Sequence, residues 1–302
     1  AIYLPDIVVC RVVVRAAGNA ESYQESPLRI RIISAGIGIP VVLLAIWLGL
    51  PGIAVLATLA AIIGGFELDR MMRPEDTRIG STRIVSLVSG PVILASVGAF
   101  MVSEGRLTGD YLPIALATIF ALMLLLRGTT SLGRSSSDRK AGDWVYWVFA
   151  AYVGFTLAHA PVMVELTKGR ELILLAILTT FAIDSVALFV GVSIGRTKLA
   201  PKISPKKSWE GAVGGVVGGV IAAIAIDAAF DIPFSTFSAG ILGAVLGVVG
   251  VGGDLYESWI KRRAEVKDSG AIIPGHGGIL DRLDSVIPNL AVVYWAAVWS
   301  AL

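Results

Sequence analysis

Residues 253–285 read GDLYESWIKRRAEVKDSGAIIPGHGGILDRLDS, a dense polar stretch lodged between two apolar runs of membrane length. From Asp254 to Ser285 it holds six carboxylates, five Lys or Arg side chains and His276, one of only two histidines in the chain. Charge this concentrated between apolar spans decides the architecture: the flanks cross a bilayer and the polar segment folds at its surface. Acid, base and glycine at these spacings suit a site where phosphate groups meet a divalent cation. The adjoining bilayer makes a lipid phosphate the leading candidate.

The rest of the chain agrees. Its 302 residues are 55% hydrophobic and only 16% charged, with mean hydropathy +0.79. Soluble domains carry about a quarter charged residues, so the fold expected is an all-α polytopic membrane protein. Nine apolar windows lie near 32–49, 51–66, 84–102, 112–126, 144–164, 172–195, 211–230, 234–253 and 286–302. Leu50-Pro51-Gly52 is the natural break between the first two. With the N-terminus cytoplasmic, one face carries 22 of the 25 Lys and Arg residues and the other only Arg106, Lys168 and Arg170. That bias puts the polar segment in the cytoplasm.

Three regions follow. Residues 1–31 form a cytoplasmic arm, loose or surface-lying, with a short amphipathic anchor as the alternative. No cleavable signal is read in residues 1–27. Residues 32–170 hold spans 1–5, whose loops, including the Ser135–Ser137 tip, read as positive anchors. Residues 171–302 hold spans 6–9 and the chemistry. Cys10 is the only cysteine, which excludes an intramolecular disulfide and a cysteine zinc site. Span 7 carries Gly211, Gly214, Gly215, Gly218 and Gly219, spaced for close helix contact within the chain or across a homodimer. His159 reads as a satisfied packing histidine, and Glu67 as a carboxylate at the water interface, with a cavity-facing position as the alternative.

Individual residues carry the chemistry. Asp184 falls mid-span, where a carboxylate costs at least about 2.5 kcal/mol and must face protein or water. Asp281 and Asp284, three apart, share a helix face, with Asp254 closing span 8. Oxygen-only ligands suit Mg²⁺. Salt bridges to Arg262 or Arg282 are the alternative use of these acids. Lys261, Arg262 and Lys267 stand ready to neutralise phosphate, with positive-inside anchoring as the alternative, and Arg263 reads as such an anchor only. Upstream, Pro201 and Pro205 hold the loop of Lys206, Lys207, Ser204 and Ser208 extended. Pro274-Gly275-His276-Gly277-Gly278 reads as a constrained turn whose amides face an anion.

Ser258, Lys261-Arg262, Lys267-Asp268, Pro274, His276-Gly277-Gly278, Asp281-Arg282 and Asp284 resemble, gap for gap, the signature of the phosphatidate cytidylyltransferases, or CDP-diacylglycerol synthases. Ile203–Gly211, ISPKKSWEG, resembles that family's second block. The resemblance is close over about residues 180–290 and diffuse over spans 1–5. Ala182 and Leu188 depart from it, standing where the family often has aromatics.

The resemblance implies an inner-membrane enzyme that condenses CTP with phosphatidic acid, giving CDP-diacylglycerol and pyrophosphate. It implies Asp254, Asp281 and Asp284 as ligands of Mg²⁺, with a second cation, divalent or K⁺, left open. Lys261, Arg262, Lys267, Lys206 and Lys207 would hold phosphates, and Ser204 and Ser208 would donate to them. Ser258, Gly277, Gly278 and Arg282 would also contact substrate. Asp268 would position Lys267 or meet the second cation, His276 would donate to phosphate or relay a proton, and Asp184 would line the cavity at the lipid headgroup. Nucleic acid is not among the expected partners. The rivals are a cytidylyltransferase for another lipid phosphate and a cation-coupled transporter using Asp184 and Asp254. Transport predicts internal repeats, and none is found.

Overall fold

The computed structural model describes residues 28–72, 82–107 and 143–300. The arm over 1–27, the expected span 112–126 and the Ser135–Ser137 tip lie outside the described residues. Helices α1 (Leu28–Leu48), α2 (Leu50–Met72) and α3 (Thr82–Ser103) come first, then α4 (Asp143–Leu157) and α5 (His159–Met163). Helix α6 (Gly169–Ile194) leads into a hairpin of β1 (Lys198–Ala200) and β2 (Ser204–Ser208). Helices α7 (Trp209–Phe230), α8 (Thr236–Arg263), α9 (Leu280–Leu283) and α10 (Val286–Ser300) complete the chain.

Seven stretches among the described residues are long and apolar enough to span a membrane, α4 and α5 together forming one of them. Helix α10 is apolar but shorter, 15 residues. The expected count of nine is therefore not reproduced among the described residues. Gly49, in a left-handed conformation (φ 71°), separates α1 from α2. The break falls just before the expected Leu50-Pro51-Gly52, because proline is tolerated in the first turn of a helix. Between α4 and α5 the span bends at Ala158, where Pro161 has no N–H to offer the carbonyl of Leu157.

The expected second span ends at residue 66, but α2 continues to Met72, carrying Glu67, Leu68 and Asp69 into the protein interior. His159 is fully buried; its Nδ1 meets the carbonyl of Phe155 at 2.9 Å and its Nε2 accepts from the Trp295 indole at 3.1 Å. It is a packing histidine, as expected. The glycines of α7 are used within the chain. A Cβ on Gly219 would stand 2.7 Å from the Gly243 carbonyl of α8, and one on Gly214 would stand 2.7 Å from Val190 of α6. These contacts pack α6, α7 and α8 backbone to backbone.

Sidedness is visible in the contacts. Ser34 near the start of α1 donates to the Pro274 carbonyl at 2.7 Å, and Glu67 near the end of α2 meets residues 279 and 280. At the other end Gly49 lies against Arg170, and the Lys168 ammonium donates to the Phe230 carbonyl at 3.2 Å. Among the described residues, the first turns of α1, the end of α2 and residues 274–280 are thus brought to one end of the bundle.

Candidate functional site

Helix α8 has 28 residues, about 42 Å at 1.5 Å per residue, so it outruns a hydrocarbon core of about 30 Å. Its last turns carry Asp254, Glu257, Ser258 and Lys261 on neighbouring faces, three and four residues apart. The chain then folds back. Val266 donates to the Lys261 carbonyl at 3.0 Å, and an antiparallel bridge between Ile273 and Gly277 closes the expected turn, with Gly275 and Gly277 at φ 76° and 87°. That turn returns α9 to Lys261.

Two sets of charges result. In the inner set the Lys261 ammonium lies 2.6 Å from Asp281 Oδ1 and 3.1 Å from Glu257. Asp281 Oδ2 accepts from the amides of Ser269 (2.9 Å) and Gly278 (2.8 Å) and lies 3.0 Å from Ser269 Oγ. Burial pushes the Asp281 carboxyl up, but the Lys261 charge and hydrogen bond, with those two amides, outweigh it and hold Asp281 below the usual carboxylate range. Glu257 is only 1% exposed. Lys261 is near it, yet among the described residues neither of its oxygens takes a well-aligned hydrogen bond. One ammonium therefore serves two buried carboxylates, and removing it strands both.

The outer set is open. Asp254 pairs with Lys207 of the hairpin at 2.5 Å and accepts from Ser258 at 3.2 Å. Asp284 is raised to about 7, first by burial and then by the negative charge of Asp254, with Asp184 adding to it and Lys261 opposing. Asp184 is exposed halfway along α6, and its electrostatic neighbours are Asp254, Lys207 and Arg282. A carboxylate midway along an apolar helix must face protein or water rather than lipid. The polar groups thus continue from the end of α8 to the middle of α6.

Asp254, Asp281 and Asp284 do not form one coordinating group: among the described residues no three Asp, Glu, His or Cys side chains are arranged to hold a metal. Asp281 is engaged by Lys261, Ser269 and Gly278, while Asp254 and Asp284 face each other's charge. Two carboxylates fit Mg²⁺ well, since that ion keeps waters and takes phosphate oxygens beside one or two protein ligands.

The other expected residues divide. Lys206, Lys267 and Arg282 are exposed, Ser204 and Asp268 half-buried. His276 is half-buried, with its Nδ1 enclosed and without a hydrogen-bond partner among the described residues. Arg262 donates to the carbonyls of Ile203 (3.3 Å) and Val266 (3.2 Å), so it ties the hairpin to the end of α8. Ser208 is the N-cap of α7, accepting from the Gly211 amide at 3.2 Å. The loop expected to be merely extended is a hairpin that holds Lys207 over Asp254.

Sequence reasoning missed Glu67, Glu257 and Ser269. Glu67 is 5% exposed, accepting from the amides of Ile279 (2.9 Å) and Leu280 (3.0 Å) and lying 3.1 Å from Ser269 Oγ. Glu257 stands four residues before Lys261, a helical ion-pair spacing that was the available signal. For Glu67 only the apolar Leu68 and Met71 beyond it hinted that α2 continues inward. Gly277 and Gly278 do not face open space. A Cβ on Gly278 would collide with Ser269 Oγ and stand 2.6 Å from Glu67. Gly278→Ala is expected to lower the thermal midpoint by several degrees and turnover at least tenfold, by the cost of overpacking. Unchanged melting and turnover would show that the cradle yields freely.

The profile of the cytidylyltransferase family matches residues 29–299. A phosphatidate cytidylyltransferase of Staphylococcus haemolyticus is 30% identical over 271 residues, covering 88% of this chain and 98% of that protein. One from Pseudomonas aeruginosa is 38% identical over 202 residues, 65% of this chain and 73% of the relative. The Bacillus subtilis enzyme of the same name is 31% identical over 178 residues, 59% and 65% of the two chains. The matched region takes in both sets of charges and the helices that hold them, and the chain belongs to the cytidylyltransferase family.

Proposed function

We propose that the protein transfers the cytidylyl group of CTP to phosphatidic acid, forming CDP-diacylglycerol and pyrophosphate at the cytoplasmic membrane face. The observation that carries this reading is the open cluster of Asp184, Asp254, Asp284 and Lys207, reaching from the membrane surface to mid-helix depth. A lipid phosphate arrives from the bilayer and a nucleotide from water, and this cluster spans both levels.

Phosphatidate is already an anion at neutral pH, so its phosphate oxygen attacks the α-phosphorus of CTP without a strong general base. The bond to the departing pyrophosphate breaks on the opposite side. Lys207, Lys206 and Arg282 balance the phosphate charge at the groove, and Lys267 adds to it from the exposed rim. Lys261, fixed by Glu257 and Asp281, holds a preorganised ammonium under the groove that needs no reorganisation during reaction. Asp254 and Asp284 would hold Mg²⁺, with Asp184 directed to the headgroup side, and the chemistry such an ion would supply there is charge neutralisation of the attacking and leaving oxygens. A second cation, divalent or K⁺, would join the site, and His276 would donate a hydrogen bond to phosphate or relay a proton. The cytoplasmic orientation and the inner-membrane location rest on the Lys and Arg bias.

Pyrophosphate release that requires both CTP and phosphatidic acid supports this reading. Release with CTP alone would make the protein a hydrolase and sink it. A pH dependence follows from Asp284, whose carboxyl keeps its proton to about pH 7 in the fold against an ordinary value of 3.8. The sign is that of a raised acid: without metal, folded stability falls as pH climbs from about 4 to 7. A cation on Asp254 and Asp284 removes that penalty. The expected result is Mg²⁺-induced thermal stabilisation that grows between pH 6 and 8. Stabilisation independent of pH would place the ion elsewhere.

A further inference from the structure

We infer that Glu67 is a positioning residue for the reaction: from the end of α2 it sets the segment that aims Asp281 at Lys261. The inference rests on the cytidylyl-transfer reading for its activity arm and on geometry alone for its structural arm. Both oxygens of Glu67 are used. Oε1 takes the Ile279 amide at 2.9 Å, and Oε2 takes the Leu280 amide at 3.0 Å and lies 3.1 Å from Ser269 Oγ. The same hydroxyl lies 3.0 Å from Asp281 Oδ2, so Ser269 stands between the two carboxylates with one proton to give.

The packing leaves Glu67 no alternative place. A Cβ on Gly270 would stand 2.7 Å from Oε1, and one on Gly278 would stand 2.6 Å from both oxygens, so the loop backbone closes on the carboxylate from two sides. A Cβ on Gly64, one helical turn back in α2, would meet Leu280 at 3.0 Å. Helix α2 thus grips residues 269–280 by hydrogen bonds and by shape. Among the described residues no other element takes those two amides.

Glu67 has no contact with the open groove, so its influence passes through Ser269, Gly278 and Asp281. A carboxylate that merely ended a helix in water would do none of this. Buried donors also lose heavily when their acceptor is removed, because they cannot return to water. Helix α2 therefore contributes directly to the alignment of the site.

The test uses the full-length protein in detergent, with Glu67→Gln, Glu67→Ala and Ser269→Ala and the double variant Glu67→Gln/Ser269→Ala. Glu67→Gln is expected to lower kcat about 10- to 100-fold while KM for CTP changes less than threefold. The double variant is expected to lose less than the product of the two single losses, since both act through Asp281. Hydrogen–deuterium exchange should rise at residues 278–281 in Glu67→Gln and Glu67→Ala, while α6 residues 172–176 stay protected. This arm needs no substrate, so it survives even if the wild-type protein transfers no cytidylyl group. Faster exchange everywhere in Glu67→Gln would show general unfolding and overturn the proposal. So would unchanged exchange at 278–281, or local exchange with wild-type kcat in an active enzyme.

Discussion

Lys261→Met is expected to reduce kcat/KM by about 10³-fold, the scale of losing one fixed electrostatic group from a reaction centre. It should also destabilise the protein by about 3–5 kcal/mol, because two carboxylates lose the one ammonium between them. The geometry behind both effects is the same: Nζ at 2.6 Å from Asp281 and 3.1 Å from Glu257, with Glu257 almost wholly buried. The two effects separate in the double variant Lys261→Met/Glu257→Gln. Removing one stranded charge should return much of the stability, measured by unfolding in detergent, and none of the turnover. Turnover recovering along with stability would reduce Lys261 to a packing charge.

Asp254→Asn is expected to lose about 10²- to 10³-fold in turnover with its melting temperature little changed. Asp254 is partly exposed, and its partners, Lys207 and Ser258, both tolerate water. Losing a carboxylate from a pair that binds Mg²⁺ should also raise the metal concentration needed for half-maximal rate at least tenfold. Asp284→Asn should behave alike and flatten the pH dependence of metal stabilisation. A variant with full turnover at ordinary Mg²⁺ would move the ion away from this pair. Under the transport reading, Asp254→Asn would instead abolish ion-coupled uptake in sealed vesicles while no lipid product is ever formed.

The helices were legible because a bilayer demands about 20 apolar residues at a time, and composition alone shows such windows. Sidedness is an expectation drawn from how Lys and Arg sort by loop. Reading failed where burial inside protein imitates another environment. Glu67 looked like the watered end of a span, yet α2 runs on through buried Leu68 and Asp69 because the loop at 278–280 covers it. The acids of residues 254–284 were legible as one cluster, but not as two. Sequence spacing puts Asp281 beside Asp284; only the return of α9 onto α8 shows that Asp281 faces Lys261 while Asp284 faces Asp254 and Asp184. Ser208 and Arg262 illustrate the same limit. A hydroxyl and a guanidinium suited to phosphate are used to cap α7 and to tie the hairpin to α8.

The most direct measurement is label transfer from α-³²P-CTP to phosphatidic acid by the purified protein in detergent with Mg²⁺. The account predicts label in the organic phase as a CDP-lipid, abolished by EDTA and by Asp254→Asn in a folded preparation. Label remaining wholly aqueous, with wild-type protein shown to be folded and anionic lipid and K⁺ supplied, would contradict it.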